Sequence, residues 1–395
     1  MQEAERKKYE NTGNVLLILL TSYFIFMQEY NYLLFFHVIF FANDSGNCGK
    51  YTSNSRMDQV NLKKLAKELN LAVSTVSRAL RDSHEISPDT KQRVRALAEK
   101  WNFHPNPHAS SLRQNKSKTI AVIIPEIENN FFSQVINGIE SVAPQKGYHV
   151  LIYLTHEQYE RERDILQLLR NGRVDGVMLS IANTTASLQH IEAYRKAGIP
   201  LVLFDRTSEE IDVPNIMTND AEMAFKATGH LLKRGCQRIA FLGIEGHLSI
   251  FNRRRSGYLS ALEKYKVSPP IEVACSTKDP ENREILRRLL QQPASQRPDG
   301  ILAAIEKFAV NVYEVCKELG LSIPGDCKII SFSNMQAAAL FDPGLSTIIQ
   351  PAYDIGRESA NILLKIIEKK MLMPFEQKMV LPSQLIERAS TSIVK

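Results

Sequence analysis

The sequence has few of the residue groupings that carry covalent or metal chemistry. Its five cysteines, Cys48, Cys236, Cys275, Cys316 and Cys327, are scattered and lack metal-type pairing. They read as buried free thiols in a reducing cytosol rather than as a disulfide framework or a metal site. The nine histidines do not cluster at metal-ligand spacing, so no metal is expected. There is no glycine-rich phosphate loop, no strand–GxSxG–helix and no HExxH. Neither an enzyme nor a bound cofactor is therefore expected. What remains is an ordinary globular composition, with 44% hydrophobic and 23% charged residues. The 395 residues suffice for about two to three domains.

The net charge of +6 is unevenly placed. Residues 57–118 hold twelve Lys/Arg and six Asp/Glu, which is the whole excess. Residues 1–56 hold five of each sign, and residues 119–395 hold 32 of each. A compact basic module on a neutral body is the footprint expected for binding phosphates.

Residues 15–42, VLLILLTSYFIFMQEYNYLLFFHVIFFA, are long enough to span a bilayer. Gln28, Glu29 and Asn31 interrupt them near the middle, where a carboxylate costs roughly 2.5–3.5 kcal/mol on insertion scales. No small-residue cleavage site follows, which argues against a signal peptide. Two readings stay open for residues 1–56: a membrane anchor, or a segment upstream of a native start at Met57. The absence of amphipathic order, and Met57 standing just before the first helix, favour the second.

Residues 57–104 read as a small helical domain. In NLKKLAKELNLAVSTVSRALRD, Leu62, Leu65, Ala66 and Leu69 recur at helical spacing, and Asn70-Leu71 makes a turn. A second helix follows from Val73, with Val76, Ala79 and Leu80 inward and Ser74, Thr75, Ser77 and Arg78 on its other face. Two short helices joined in this way form a helix-turn-helix whose second helix fits a DNA major groove. A third helix starts at Ser87-Pro88-Asp89, with Ser87 as cap, and buries Val94, Leu97, Ala98 and Trp101. Residues 105–118 form a linker. Pro105 and Pro107 break the third helix, and HASSLR allows about one further turn that would order only when held. Leu112 either wedges into a minor groove or packs on a neighbouring domain.

Residues 119–395 alternate apolar runs (TIAVIIP, YHVLIYL, VDGVMLSI, IPLVLFD, RIAFLGI, DGILAAI, KIISF) with amphipathic stretches. This pattern predicts an α/β body of parallel sheets with helices on both faces. RVDGVMLSI at 173–181 resembles RPDGILAAI at 297–305, which suggests two similarly built lobes with a ligand cleft between them.

The whole of residues 58–392 resembles the lactose/galactose-repressor (LacI/GalR) family. The resemblance is carried in order by VSTVSRAL, ISPDT, HASSLR, PEIENNFF, GRVDGV, TND, RRRSGY, GLSIPGD, TIIQP and LIERAS. It implies a three-helix headpiece on a periplasmic-binding-protein-like body of two doubly wound lobes. Lobe one takes in about 119–218 and 351–378, and lobe two about 219–350 and 379–395. It further implies an allosteric homodimer on a near-palindromic DNA operator, most often a repressor, controlled by a small sugar-like effector. Val73, Ser74 and Arg78 fall where the family reads bases, Thr75 and Ser77 where it contacts phosphates. His108, Ser111 and Leu112 fall in the DNA-contacting hinge, with Leu112 on the minor-groove wedge. Phe131, Phe132 and Arg254 fall on ligand-contacting positions, and Asp205, Arg206, Asn219, Asp220 and Ser333 lie around the same cleft. The chain ends soon after LIERAS without a heptad tail, so a dimer is expected. Departures are Ala72 for a capping Ser, Ser110 for a hinge Arg, Ser333 for an Asp, and Ile305-Glu306 for Asn-Asp. The competing reading is a membrane-associated sugar-binding receptor, which leaves the basic headpiece without a role.

Overall fold

The computed structural model describes residues 61–103, 117–128, 130–244, 248–267, 269–276 and 279–393. Residues 1–56 and the linker positions His108, Ser110, Ser111 and Leu112 lie outside the described residues. The chain divides into two compact units, Met1–Pro105 and Asn106–Lys395.

In the first unit, α1 (Leu62–Glu68), α2 (Val73–Leu80) and α3 (Pro88–Lys100) follow the predicted periodicity. Leu65, Ala66, Val76, Ala79, Val94 and Ala98 meet in one core, with Leu62, Leu69, Leu97 and Trp101 packed around it. Asn61 caps α1 by accepting from the Lys64 amide at 3.0 Å. Ser87 caps α3 by accepting from the Thr90 amide at 3.4 Å. Ala72 gives α2 no side-chain cap, which forgoes about 1 kcal/mol. All three helices stop in the same way. Asn70, Asp82 and Asn102 take left-handed backbones, with φ of 52°, 58° and 48°. The next amide then bonds back five residues: Leu71 to Ala66 O at 2.9 Å, Ser83 to Arg78 O at 3.1 Å, Phe103 to Ala98 O at 2.8 Å. Asn and Asp tolerate this conformation better than other side-chain-bearing residues, so they fix where each helix ends.

The second unit holds two six-stranded sheets. Strands β1 (Thr119–Ile124), β2 (His149–Leu154), β3 (Gly176–Leu179), β4 (Leu201–Phe204) and β5 (Asn215–Thr218) belong to lobe one. Strands β6 (Ile239–Gly243), β7 (Ile271–Ala274), β8 (Gly300–Ala303), β9 (Lys328–Phe332) and β10 (Ser346–Ile349) belong to lobe two. The sheet orders are β11-β5-β4-β3-β1-β2 and β12-β10-β9-β8-β6-β7, where β11 is Lys378–Leu381 and β12 is Gln384–Ile386. Every pair is parallel except β10 with β12.

Alternation along β1 shows why both faces need cover. Ile120, Val122 and Ile124 pack with α4 (Asn130–Glu140) and α11 (Ala352–Ile367). Ala121 and Ile123 point the other way, toward α5 (Tyr159–Leu169) and α6 (Gln189–Lys196). Lobe two is wrapped by α7 (Asp220–Lys233), α8 (Ser249–Tyr265), α9 (Asp279–Leu290) and α10 (Glu306–Leu319). In each lobe one helix pair meets backbone to backbone. A Cβ on Gly356 would lie 2.0 Å from Val135 O, and one on Gly257 would lie 2.0 Å from Ala221 O.

The internal repeat has a structural meaning. Asp175 accepts from the Ser117 and Lys118 amides, at 2.6 and 3.1 Å, and so holds the start of β1. Asp299 accepts from the Gln237 and Arg238 amides, at 3.0 and 2.8 Å, and holds the start of β6.

The lobe boundary differs from expectation at one point. Division at 378/379 would give residues 379–381 to lobe two, but Lys378–Leu381 pairs along β5 in lobe one. KMVL alternates in burial rather than forming an apolar run, because it is an edge strand. The chain therefore makes its third crossing between Leu381 and Gln384. Among the described residues no helix is long and apolar enough to cross a membrane.

Candidate nucleic-acid interface and ligand cleft

On α2, Ser74 and Arg78 are exposed, and Val73, Thr75 and Ser77 are half-buried. Val73 also packs at the margin of the headpiece core. Arg78 Nη1 donates to Glu85 Oε2 at 2.6 Å, with both side chains 52% exposed. Such a solvated pair is worth little, so Glu85 holds the guanidinium only weakly. Ser77 O and Oγ accept from Arg81. Asp82 bridges Lys91 at 3.1 Å and Arg95 at 2.8 Å. The hydrogen bond from Lys91, the larger cause, and the two cations together hold its carboxyl below the usual range.

Within the second unit, a small pocket, partly open to solvent, lies between the lobes. It is lined by the predicted Phe131, Phe132, Asp205, Arg206, Arg254 and Ser333. Phe131 and Phe132 are edge to face, their centroids 5.2 Å apart. Asp205 closes β4 in a left-handed conformation, φ 59°, which turns the chain at the strand end. Burial pushes its carboxyl above the usual carboxylate range. Arg206 makes a two-oxygen bond to Glu157, at 2.8 and 2.7 Å.

On the lobe-two side Arg254 is 2% exposed. Its Nε donates to Asp220 Oδ1 at 2.8 Å, its Nη1 to Ala304 O, and its guanidinium lies 3.9 Å from the Phe332 ring centroid. Arg254 Nη2 is buried in the pocket and finds no hydrogen-bond partner, whereas Asp220 lies behind it, off the pocket lining, with its Oδ2 3.5 Å from Arg253 Nε. Buried polar atoms left unpaired in a pocket are the groups a ligand would satisfy. Ser333 Oγ donates to Glu306 Oε2 at 2.8 Å. The departure from Asp at 333 therefore does not strip the wall of negative charge, because Glu306 supplies a carboxylate beside it.

Asn219 is placed elsewhere, off the pocket lining. Its Oδ1 accepts from the Ser383 amide at 2.8 Å and its Nδ2 donates to Glu222 at 2.8 Å. It therefore ties the first crossing between lobes to the third. Gln350, on the second crossing, donates to Thr218 Oγ1 at 3.2 Å and to Asp205 Oδ1 at 3.4 Å. Residues missed by sequence reasoning are Glu157, Glu306, Asn334 and Gln350. Asn334 and Gln134 bond each other across the cleft. Gln350 had a signal in its place in TIIQP, and Glu306 in its departure from the family's Asn-Asp. A broader depression of about 1900 Å³ flanks the cleft. Its lining includes exposed or half-exposed Ser, Glu and Gln together with Thr207 and Arg253, whose Oγ1 and Nε are buried without a hydrogen-bond partner.

A helix-turn-helix headpiece joined to a two-lobed body with a polar cleft defines a DNA-binding transcription regulator with a ligand-binding body. Residues 61–106 match the bacterial regulatory proteins of the lacI family, and residues 228–391 match a periplasmic binding protein-like domain. The ribose operon repressor of Halalkalibacterium halodurans is 32% identical over 330 residues, covering 84% of this chain and 96% of that protein. The chain belongs to the LacI family of bacterial regulatory proteins. Among solved structures, a LacI family transcriptional regulator from Enterococcus faecium with bound ribose is similar at 28% identity and TM-score 0.61, over 70% of this chain and 100% of that one. The lac repressor dimer bound to operator and the anti-inducer ONPF shares the fold, with TM-score 0.74 at 22% identity, over 84% and 99%.

Proposed function

We propose that the chain is a cytoplasmic, non-catalytic repressor. It acts as a homodimer and releases or tightens on its operator when a sugar or related metabolite fills the interlobe cleft. Val73, Ser74 and Arg78 read base edges, and Thr75 and Ser77 hold phosphates. His108, Ser111 and Leu112 extend the contact into the minor groove. Phe131 and Phe132 supply an apolar wall for a sugar ring, with Asp205, Arg206, Asp220, Arg254 and Ser333 around its hydroxyls. The observation that carries this reading is Arg254, which lines the cleft at 2% exposure with its Nη2 lacking a hydrogen-bond partner. A sugar hydroxyl offers the matching acceptor. Relatives named for ribose, and one holding it, support a pentose as the first compound to try.

The test is a thermal-shift screen with ribose, other pentoses, hexoses and nucleosides, followed by operator binding with any hit. A ligand at about 100 times its Kd should add about 2.7 kcal/mol of apparent stability. The same compound should change operator affinity about 5-fold or more. Melting unchanged by every compound, or a hit that leaves operator affinity unchanged, overturns the reading.

A further inference from the structure

The broad depression beside the cleft is built on the same two chain segments as the small pocket. After β4, Asp205 and Arg206 line the small pocket, and Thr207 lines the depression. On α8, Arg254 lines the small pocket and its neighbour Arg253 lines the depression. The buried Asp220 serves both arginines. Its Oδ1 accepts from Arg254 Nε at 2.8 Å, and its Oδ2 lies 3.5 Å from Arg253 Nε.

Two polar groups of the depression are left over. Thr207 is 3% exposed and its Oγ1 has no hydrogen-bond partner. Arg253 Nε is also buried without one. The two come from different lobes and lie close together. Ser249 Oγ donates to Thr207 O at 2.6 Å, and Arg253 follows Ser249 by one helical turn, on the same face of α8. Arg253 Nη2 also reaches Asp205 O at 3.4 Å. Asn252 and Ser256 continue this face at helical spacing, and both line the depression.

The rest of the lining limits what can bind. Ile181, Leu188, Ile211 and Leu248 supply apolar surface. Glu192 pairs with Arg195, and Glu209 with Lys378. That leaves Glu210 and Arg253, one charge of each sign, so the lining has no excess of cations to hold an anion. A buried N–H beside a buried hydroxyl suits groups that both accept and donate, as hydroxyls do.

We propose that the depression is a second small-molecule site, taking a neutral sugar or glycoside. Its occupant touches Thr207 from lobe one and Arg253 from lobe two, and so bridges the lobes. The site stands whether or not the small pocket holds a sugar of its own.

The test is calorimetry on the full chain with ribose, glucose, maltose and sucrose, and with glucose 6-phosphate as the charged comparison. Thr207→Val and Asn252→Trp alter the depression, and Ser333→Ala alters the small pocket. At least one neutral sugar should bind with an affinity that falls about three- to tenfold in Thr207→Val, the loss of one hydrogen bond. Asn252→Trp, which fills the depression from an exposed position, should abolish that binding. Ser333→Ala should leave it within about twofold of wild type. Without ligand, Thr207→Val should melt as wild type does, because its hydroxyl makes no bond to lose. A matching melt of Asn252→Trp shows that it folds. The proposal is overturned if no sugar binds, or if every sugar binds both depression variants as it binds wild type. Glucose 6-phosphate binding more tightly than glucose, and losing affinity in Thr207→Val, overturns the neutral ligand. A sugar weakened by Ser333→Ala alone overturns this site and leaves the small-pocket reading standing.

Discussion

In lobe one Asp175 holds the start of β1, and in lobe two Asp299 does the same for β6. The glycine after each leads a strand into a crowded place: a Cβ on Gly176 would meet Leu363, and one on Gly300 would meet Cys236. Up to this point the lobes are copies. They part in how they dispose of charge. At the cleft, lobe two contributes Arg254, buried against Asp220 and with its Nη2 lacking a hydrogen-bond partner. Lobe one contributes Arg206, whose partner Glu157 keeps a 23% exposed side chain. At the far end Arg297 of lobe two pairs with Asp326, whereas its counterpart Arg173 in lobe one has no carboxylate partner among the described residues. Repeated architecture thus comes from Asp, Gly and buried apolar strands, whereas the lobes differ in how particular charges are partnered.

The sharpest way to break this comparison is at the cleft. Arg254→Ala should cost about 3–5 kcal/mol, because it leaves Asp220 charged and buried without its main partner. Arg206→Ala should cost clearly less, since solvent reaches Glu157. Urea midpoints measure both, and a larger loss at Arg206 would reverse the roles assigned to the lobes. The helix pairs come next. Gly356→Ala and Gly257→Ala should each destabilise by about 1–3 kcal/mol, because the added methyl meets a backbone carbonyl that cannot move aside alone. Similar losses in the same assay sharpen the likeness of the lobes, and a loss in only one breaks it. The smallest effects belong to the repeat's arginines. Arg297→Ala should cost about 1 kcal/mol through its part-buried pair with Asp326, and Arg173→Ala should lie within about 0.5 kcal/mol of zero.

Much of this was legible in the sequence, and the illegible parts have a common cause. The seven apolar runs each hold a strand, in most cases because a strand covered on both faces is apolar throughout; β2 is the exception, an apolar edge strand with Leu151 and Ile152 exposed. The short strands β5, β7, β10, β11 and β12 carry Asn, Glu, Ser, Lys or Gln and lie at sheet edges or at the crossings, where one face or one end meets solvent or the other lobe. Arg254 was legible from RRRSGY. Its unpaired Nη2 was not, since that depends on Asp220 and Ala304, which lie far from it in the sequence. Asn219 in TND pointed toward the cleft by position. Ser383, its partner 164 residues away, shows that it works as a tie between crossings. Glu306 stood out only as a departure, and its value appears once Ser333 is beside it.

The ties at the crossings have a mechanical consequence. Thr218 is joined to Gln350, and Asn219 to Ser383, so three short connections lie side by side as one strip. A single tether would allow one lobe to swivel, slide or tilt on the other. Three laced tethers resist swivelling and sliding, and leave bending about the strip as the soft motion. The body then behaves as a one-coordinate device. Its opening is opposed by the few bonds that span the gap, Gln134 with Asn334, Ser249 with Thr207 O and Arg253 with Asp205 O, and whatever fills the pocket acts along that same coordinate.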